Sequence, residues 1–300
     1  MENEVVVTLQ NRRHTYPLYF AGGALTLYLV FVVIPSVGGL LYSFTDWSSY
    51  SERIGFVGLR NFKAVFSSAE GYLISIINTL LFTAYTTFLK TGIGFLLALA
   101  LSESIRGKTV HRTILFIPAI LSTLIIGILF KSILAPDEGL LNVLLGRIGL
   151  GFLRMQWLTD IRTALPSVIA VDVWKGAGYV MTILLAGLAT IPRDYYEAAT
   201  LDGASYWKRT RFITFPLMIP TITITLVLNL IYALKVFDII IVLTMGGPID
   251  ATAVLYTKVW DKMSLGLFGV ATSLSSVLFV VMTLVGFFTV KLLNRGEVEL

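Results

Sequence analysis

Charge inside apolar sequence is the first chemistry this chain offers. Lys90, Asp172, Lys175, Lys235 and Asp238 each interrupt long stretches of aliphatic and aromatic residues. A charge held in lipid is costly, so such residues face a watery cavity or a partner charge. Asp172 and Lys175 are three apart, which puts them on one helix face where they can pair, and Lys235 and Asp238 repeat that spacing. Each pair is either a tether within the bundle or part of a solute path, and spacing alone leaves both open. Lys90 has no partner by spacing and receives no role from the sequence.

Catalytic arrangements do not stand out. The chain has no cysteine, so thiol catalysis, disulfides and cysteine metal sites are excluded. Arg106-Gly107-Lys108-Thr109 superficially resembles a phosphate-binding loop. Ser102 occupies the place where that motif needs its first glycine, and no strand precedes it. It reads as a basic turn. His14 and His111 lie far apart beside basic residues, which suits an interface better than a metal site. No nucleophile–base arrangement appears, so the chain is read as a non-enzyme.

The elements that must position these residues are membrane spans. Of 300 residues, 56% are hydrophobic and 14% charged, against about a quarter charged in soluble domains. Apolar runs at 18–42, 74–101, 114–134, 166–191, 217–243 and 267–292 are each long enough to cross a hydrocarbon core of about 30 Å. Pro35 is expected to kink the first run, and Pro118 lies near the start of the third. The first run is too long for a signal-peptide core and is read as a retained span. Residues 139–150 look like a short amphipathic helix rather than a crossing. The fifth run is broken near its end by Thr244-Met245-Gly246-Gly247-Pro248. The fold expected is an all-α membrane protein with six transmembrane helices (residues 17–300) after an N-terminal segment, 1–16.

The net charge of +5 comes from basic residues scattered among short loops, which points to membrane orientation rather than nucleic acid. Both sides carry nearly equal numbers of Lys and Arg. Those of the N-terminus, the 103–112 loop, residues 192–216 and the C-terminus are packed into shorter segments near span ends, where the positive-inside rule is strongest. Both termini and residues 192–216 are therefore placed in the cytoplasm. Trp47, Tyr50, Trp157 and Trp260 fall near the opposite boundary and read as interfacial anchors.

Residues 192–216 form a polar island between the fourth and fifth runs. Pro192 and Asp194 suit a helix start, Gly203 a helix end, and Ser205 the cap of a second short helix. Pro216 marks entry to the next run. Within this helix–turn–helix, Glu197-Ala198-Ala199, then Gly203, then Ile213 and Pro216, stand at the spacing of one known signature. The segment resembles the docking loop of the membrane permease subunits of binding-protein-dependent ABC importers. Phe215 replaces the usual Leu before Pro216. Further likenesses to the carbohydrate, maltose-type group are Tyr42-Ser43-Phe44-Thr45-Asp46, Asn78-Thr79-Leu80, Gly139-Leu140-Leu141-Asn142, Trp157-Leu158, Leu188-Ala189-Thr190-Ile191-Pro192 and Phe237-Asp238.

The resemblance implies a type I importer permease in the cytoplasmic (inner) membrane. It implies a second homologous permease, two ATP-binding cassette subunits and an extracytoplasmic solute-binding protein as partners. No cofactor is expected on this chain; ATP and magnesium would bind the ATPase subunits. Glu197, Ala198, Ala199, Gly203, Ile213 and Pro216 would dock the ATPase. An oligosaccharide or related sugar is the cargo implied. A sugar needs hydrogen-bond partners and an aromatic face, which makes Trp174, Lys175, Tyr179, Asn229, Tyr232 and Asp238 the candidates along its path. Asn229 and Tyr232 are three apart and share a face; Trp174 and Tyr179, five apart, fit one face less well. The rival readings are an importer of glycerol phosphate or another anionic solute, using Lys90, Lys175 or Lys235, and an ion-coupled secondary transporter.

Overall fold

The computed structural model describes residues 19–67, 71–103 and 106–293. The segment 1–16, with Arg12, Arg13 and His14, and the terminal Arg295 lie outside them. The described residues are helical, apart from loops and one isolated bridge between Thr45 and Phe56. The helices are α1 (Tyr19–Tyr28), α2 (Ile34–Tyr42), α3 (Arg60–Val65), α4 (Tyr72–Ser102), α5 (Lys108–Ile120), α6 (Thr123–Ile133) and α7 (Leu140–Arg147). They continue as α8 (Ala164–Leu188), α9 (Arg193–Leu201), α10 (Tyr206–Arg209), α11 (Phe215–Leu234), α12 (Asp238–Thr244), α13 (Leu255–Ser264) and α14 (Phe268–Leu293).

Five helical rods are long and apolar enough to cross a membrane: Ala21–Tyr42, Tyr72–Ser102, Ala164–Leu188, Tyr206–Leu234 and Phe268–Thr289. The third apolar run departs from the expected straight crossing. It is the pair α5 and α6, bent by 96°, with Leu121 and Ser122 in extended backbone at the break. The bend lays α6 against α12, where Gly127 leaves room for Val242: a Cβ on Gly127 would lie 2.2 Å from that side chain. The count is thus five spans, or six if the bent pair is one.

The fifth run also differs at both ends. Its helix stops at Leu234, and Phe237 (φ −146°, ψ −62°) separates it from α12. The run is thus broken twice, before residue 238, which was not expected, and after Thr244, as expected, where Met245 turns left-handed (φ +51°). At the other end the helix does not begin at Pro216. A π-turn, Thr210–Thr214, joins α10 to α11, and the Phe215 N–H bonds the Thr210 carbonyl. The same device joins α1 to α2, where Leu29–Val33 is a π-turn and the Ile34 N–H bonds the Leu29 carbonyl. Each π-turn ends just before a proline, Pro216 or Pro35. A proline ring crowds the carbonyl one turn back, and the wider turn relieves that crowding while the chain continues as helix. Both prolines are therefore absorbed into continuous rods.

Close helix packing is centred on α8. Small residues let helices approach where the hydrophobic effect is weak. A Cβ on Gly178 would lie 1.8 Å from the Leu115 carbonyl oxygen, one on Gly94 would lie 2.5 Å from Val180, and one on Gly187 would lie 2.6 Å from Thr221. Helices α4, α5 and α11 thus seat directly on α8. Phe82, Ile126, Val168 and Ile240 belong to one apolar core, and Ala98, Met181, Leu184 and Met218 to a second nearer the 192–216 segment. A third joins α3, α4, α13 and α14 through Val65, Tyr72, Leu255 and Leu274.

The opposite end of the bundle is knitted by amides. Asn78 on α4 donates from Nδ2 to the carbonyls of Asp250, Ala251 and Ala253 at 3.0–3.1 Å. Neighbouring Thr79 accepts the Leu255 N–H at 2.9 Å. Buried Asn142 donates to the Pro136 and Met155 carbonyls and accepts from Trp157 Nε1 at 2.8 Å. Trp157, read from sequence as an interfacial anchor, is a strut of this loop. Replacing Asn78 by alanine strips those carbonyls of their donor. The expected loss is about 1–3 kcal/mol, read as a lower unfolding midpoint in detergent with unchanged helix content.

Candidate functional site

Two sites stand out, a cavity within the bundle and a knob at one end. The cavity, about 390 Å³, is lined by Lys90 of α4, Phe116 and Ala119 of α5, Asp172, Lys175, Gly176 and Tyr179 of α8, and Leu228, Asn229 and Tyr232 of α11. Its wall is organised by a buried ion pair. Lys90 Nζ lies 2.6 Å from Asp172 Oδ2, with the side chains 4% and 1% exposed. The contact is ionic: Asp172 Oδ2 makes no well-directed hydrogen bond. Gly176 makes the room, since a Cβ there would lie 2.7 Å from Lys90 Cε. The Tyr232 hydroxyl donates to Asp172 Oδ1 at 3.4 Å, and Lys90 Nζ sits 4.5 Å from the centroid of the Tyr232 ring. Asn229 Nδ2 donates to Thr91 Oγ1 at 3.3 Å. The pair therefore ties α4 to α8 and holds Tyr232 of α11 by both face and tip.

This differs from the pairing expected along the chain. Asp172 pairs with Lys90, not with Lys175. Lys175 turns instead to α6 and donates to Thr123 Oγ1 at 2.9 Å. A buried lysine on α4 demands a counter-charge, and Asp172 is the carboxylate that α8 brings to it. Lys235 and Asp238 flank the break after α11, so they share no helix face and form no ion pair among the described residues. Of the candidates along a solute path, the cavity gathers Lys175, Tyr179, Asn229 and Tyr232. Trp174, 44% exposed, packs on Phe130 with ring centroids 5.1 Å apart and stands outside it. Asp238 lines a separate recess with Ser122 and Thr123. Sequence reasoning left Lys90 without a role and passed over Phe116. A buried-charge argument across spans would have matched Lys90 to Asp172.

The knob is built from α9, the turn at Asp202-Gly203-Ala204, and α10. Pro192 stands at the N-cap position and Asp194 in the first turn. The Gly203 N–H bonds the Thr200 carbonyl and the Ala204 N–H bonds the Ala199 carbonyl, both within 3.0 Å. Gly203 has φ +72° and open space around it, so a side chain there is strained by backbone rather than by contact. Ser205 stands at the N-cap of α10, but its side chain makes no capping bond. Two side-chain bonds brace the knob: Tyr196 Oη with Thr214 Oγ1 at 3.1 Å, and Arg209 Nη1 to Thr200 Oγ1 at 3.0 Å. The surface left open is apolar at its tip. Leu201 is 90% exposed, Trp207 71% and Phe212 70%. Glu197 and Ala198 are exposed on α9, Ala199 is half-buried, Ile213 lies in the π-turn and Pro216 on α11.

The comparisons agree with this architecture. Residues 90–297 match the family model described as binding-protein-dependent transport system inner membrane component. The chain is 34% identical over 297 residues to the trehalose/maltose transport system permease protein MalF of Thermococcus litoralis, covering 99% of each. Its backbone is similar to a chain in the crystal structure of a bacterial ABC transporter involved in the import of the acidic polysaccharide alginate. That match has a TM-score of 0.80 and 28% identity, and covers 93% of this chain and 95% of the other. A second match is to the bacterial alginate ABC transporter in complex with alginate pentasaccharide-bound periplasmic protein. Its TM-score is 0.78 at 27% identity, over 90% of this chain and 91% of the other.

Proposed function

The chain belongs to the family of binding-protein-dependent transport system inner membrane components, and from that premise we propose that it is the permease subunit of an ATP-driven importer of oligosaccharides or related sugars. The reading is supported by full-length similarity to a trehalose/maltose permease and by two alginate-importer structures. The observation that carries it is the union of two features in one rod. The helix from Tyr206 to Leu234 bears part of the apolar-tipped knob at one end and the cavity residues Asn229 and Tyr232 near the other.

In the proposed cycle, a second homologous permease completes the translocation path. Two ATPase subunits bind ATP and magnesium and grip one knob each, with Glu197, Ala198, Ala199, Gly203, Ile213 and Pro216 forming or supporting the contact. Both termini and the knob face the cytoplasm. A solute-binding protein delivers cargo to the opposite face, where Tyr50, Met245 and Ile249 are exposed. At about 1.5 Å per residue the rod is roughly 40 Å long, so a tilt at the knob becomes a displacement at the cavity. Tyr232 offers a ring, and Lys175, Tyr179 and Asn229 offer donors, which suits a hydroxyl-rich ring with an apolar face.

The test is uptake by the complete complex in proteoliposomes. ATP-dependent accumulation of labelled maltooligosaccharide is expected, with unlabelled neutral sugars competing at least tenfold better than glycerol phosphates. Uptake driven by an ion gradient without ATP, or stronger competition by phosphate esters, would overturn the reading.

A further inference from the structure

A second and larger recess, about 510 Å³, lies between the knob and the ends of α4 and α8. It is lined by Glu103, which follows α4, by Lys108 and Arg112 of α5, by Arg193 of α9 and by Arg209 of α10, with Tyr206 and Thr210 beside them. Four cations thus face one carboxylate. Among the described residues, none of the four is in an ion pair with Asp or Glu. Lys108 Nζ donates to the Ser102 carbonyl at 3.2 Å, and Arg209 Nη1 donates to Thr200. Arg209 Nε is buried and, among the described residues, has no hydrogen-bond partner. A buried charged donor left unmet is expensive, and like charges crowded around it add to that cost.

We propose that this recess is an anion-binding site that takes a phosphate group. Arginine forks match phosphate oxygens bidentately, which a neutral sugar hydroxyl cannot reproduce. A group with two or three charge-bearing oxygens meets Arg209 Nε and offsets the surplus positive charge in one step. The recess joins α5 to both knob helices. A phosphate seated there clamps the start of α5 to α9 and α10 and stiffens the knob against the bundle. The same chemistry arises from a free phosphate ester or from the headgroup of an anionic phospholipid, and basic pockets at span ends suit the latter. The inference stands apart from the identity of the cargo, since no residue of the 390 Å³ cavity takes part.

The experiment uses the full chain in nanodiscs. In phosphatidylcholine discs, binding of labelled inorganic phosphate is measured by equilibrium dialysis. In discs containing phosphatidylglycerol, the lipid retained per chain is measured by native mass spectrometry. Saturable binding in the first arm identifies a free phosphate as ligand, and selective retention in the second identifies a lipid headgroup. In either case Arg112→Gln and Arg209→Gln are each expected to weaken binding at least tenfold. Arg147→Gln, on α7 at the far end, is expected to leave it unchanged. Arg193→Gln, at an exposed position, gives the same reading should the Arg209 variant fail to fold. No saturable phosphate and no selective lipid in wild type, or binding indifferent to Arg112→Gln and Arg193→Gln, would overturn the proposal.

Discussion

Lys90→Met is expected to cost about 3–5 kcal/mol of stability, the usual consequence of leaving one member of a buried ion pair unpaired. The Lys90 and Asp172 side chains are 4% and 1% exposed, so water screens neither charge. The double variant Lys90→Met/Asp172→Leu is expected to recover most of that loss, because a buried pair is often replaceable by apolar residues of similar volume. The recovery should not extend to transport. Without Asp172 the Tyr232 hydroxyl loses its acceptor, and without Lys90 one face of its ring loses its cover. Tyr232 then turns freely at the cavity wall. Denaturation midpoints of both single variants and the double in detergent give the coupling between the two residues. Uptake by the double variant tests the positioning role. A single variant as stable as the parent would show that the pair contributes nothing, and a double variant with full uptake would show that it does not position Tyr232.

Most of the helical inventory was legible in the sequence, because long apolar runs have few alternatives in lipid. The helix–turn–helix around Gly203 was legible because a polar insertion between two apolar runs, opened by proline and closed by glycine, has few other ways to fold. Three features were not. The 96° break in the third run leaves no local mark beyond Pro118, and the contact it permits, Gly127 against Val242, joins residues far apart in the chain. Continuity through Pro216 was hidden because proline ordinarily ends or kinks a helix, and the π-turn before it is a response of backbone rather than of side-chain pattern. The Lys90–Asp172 contact joins two spans, and spacing rules see only neighbours on one helix. The first and third features involve contacts between distant helices, whereas the second is a local accommodation of proline.

Leu201→Asp is expected to abolish coupled transport while leaving the bundle intact. Leu201 is 90% exposed and touches no core, so an aspartate there has no folded-state contact to break. An exposed leucine at the tip of a braced knob is apolar surface awaiting a partner, and its full burial there contributes about 1.5–3 kcal/mol. A charge in its place adds desolvation cost. ATPase subunits should therefore dissociate from the purified complex on gel filtration, and sugar-stimulated ATP hydrolysis should fall at least tenfold. Gly203→Val tests the same surface by another route. The valine meets no neighbour, but holding a β-branched residue at φ +72° costs about 1–3 kcal/mol, so the turn reopens and α9 and α10 lose their fixed angle. Ile213→Gly probes leverage together with grip. It loosens the π-turn that makes knob and cavity wall one rod and that also carries Phe212 of the exposed tip. Uptake per ATP hydrolysed should fall beyond any loss of bound ATPase subunits. If Leu201→Asp retains both the subunits and the uptake, the knob is not where the motor pulls. If Ile213→Gly transports with unchanged coupling, force reaches the cavity by some path other than this helix.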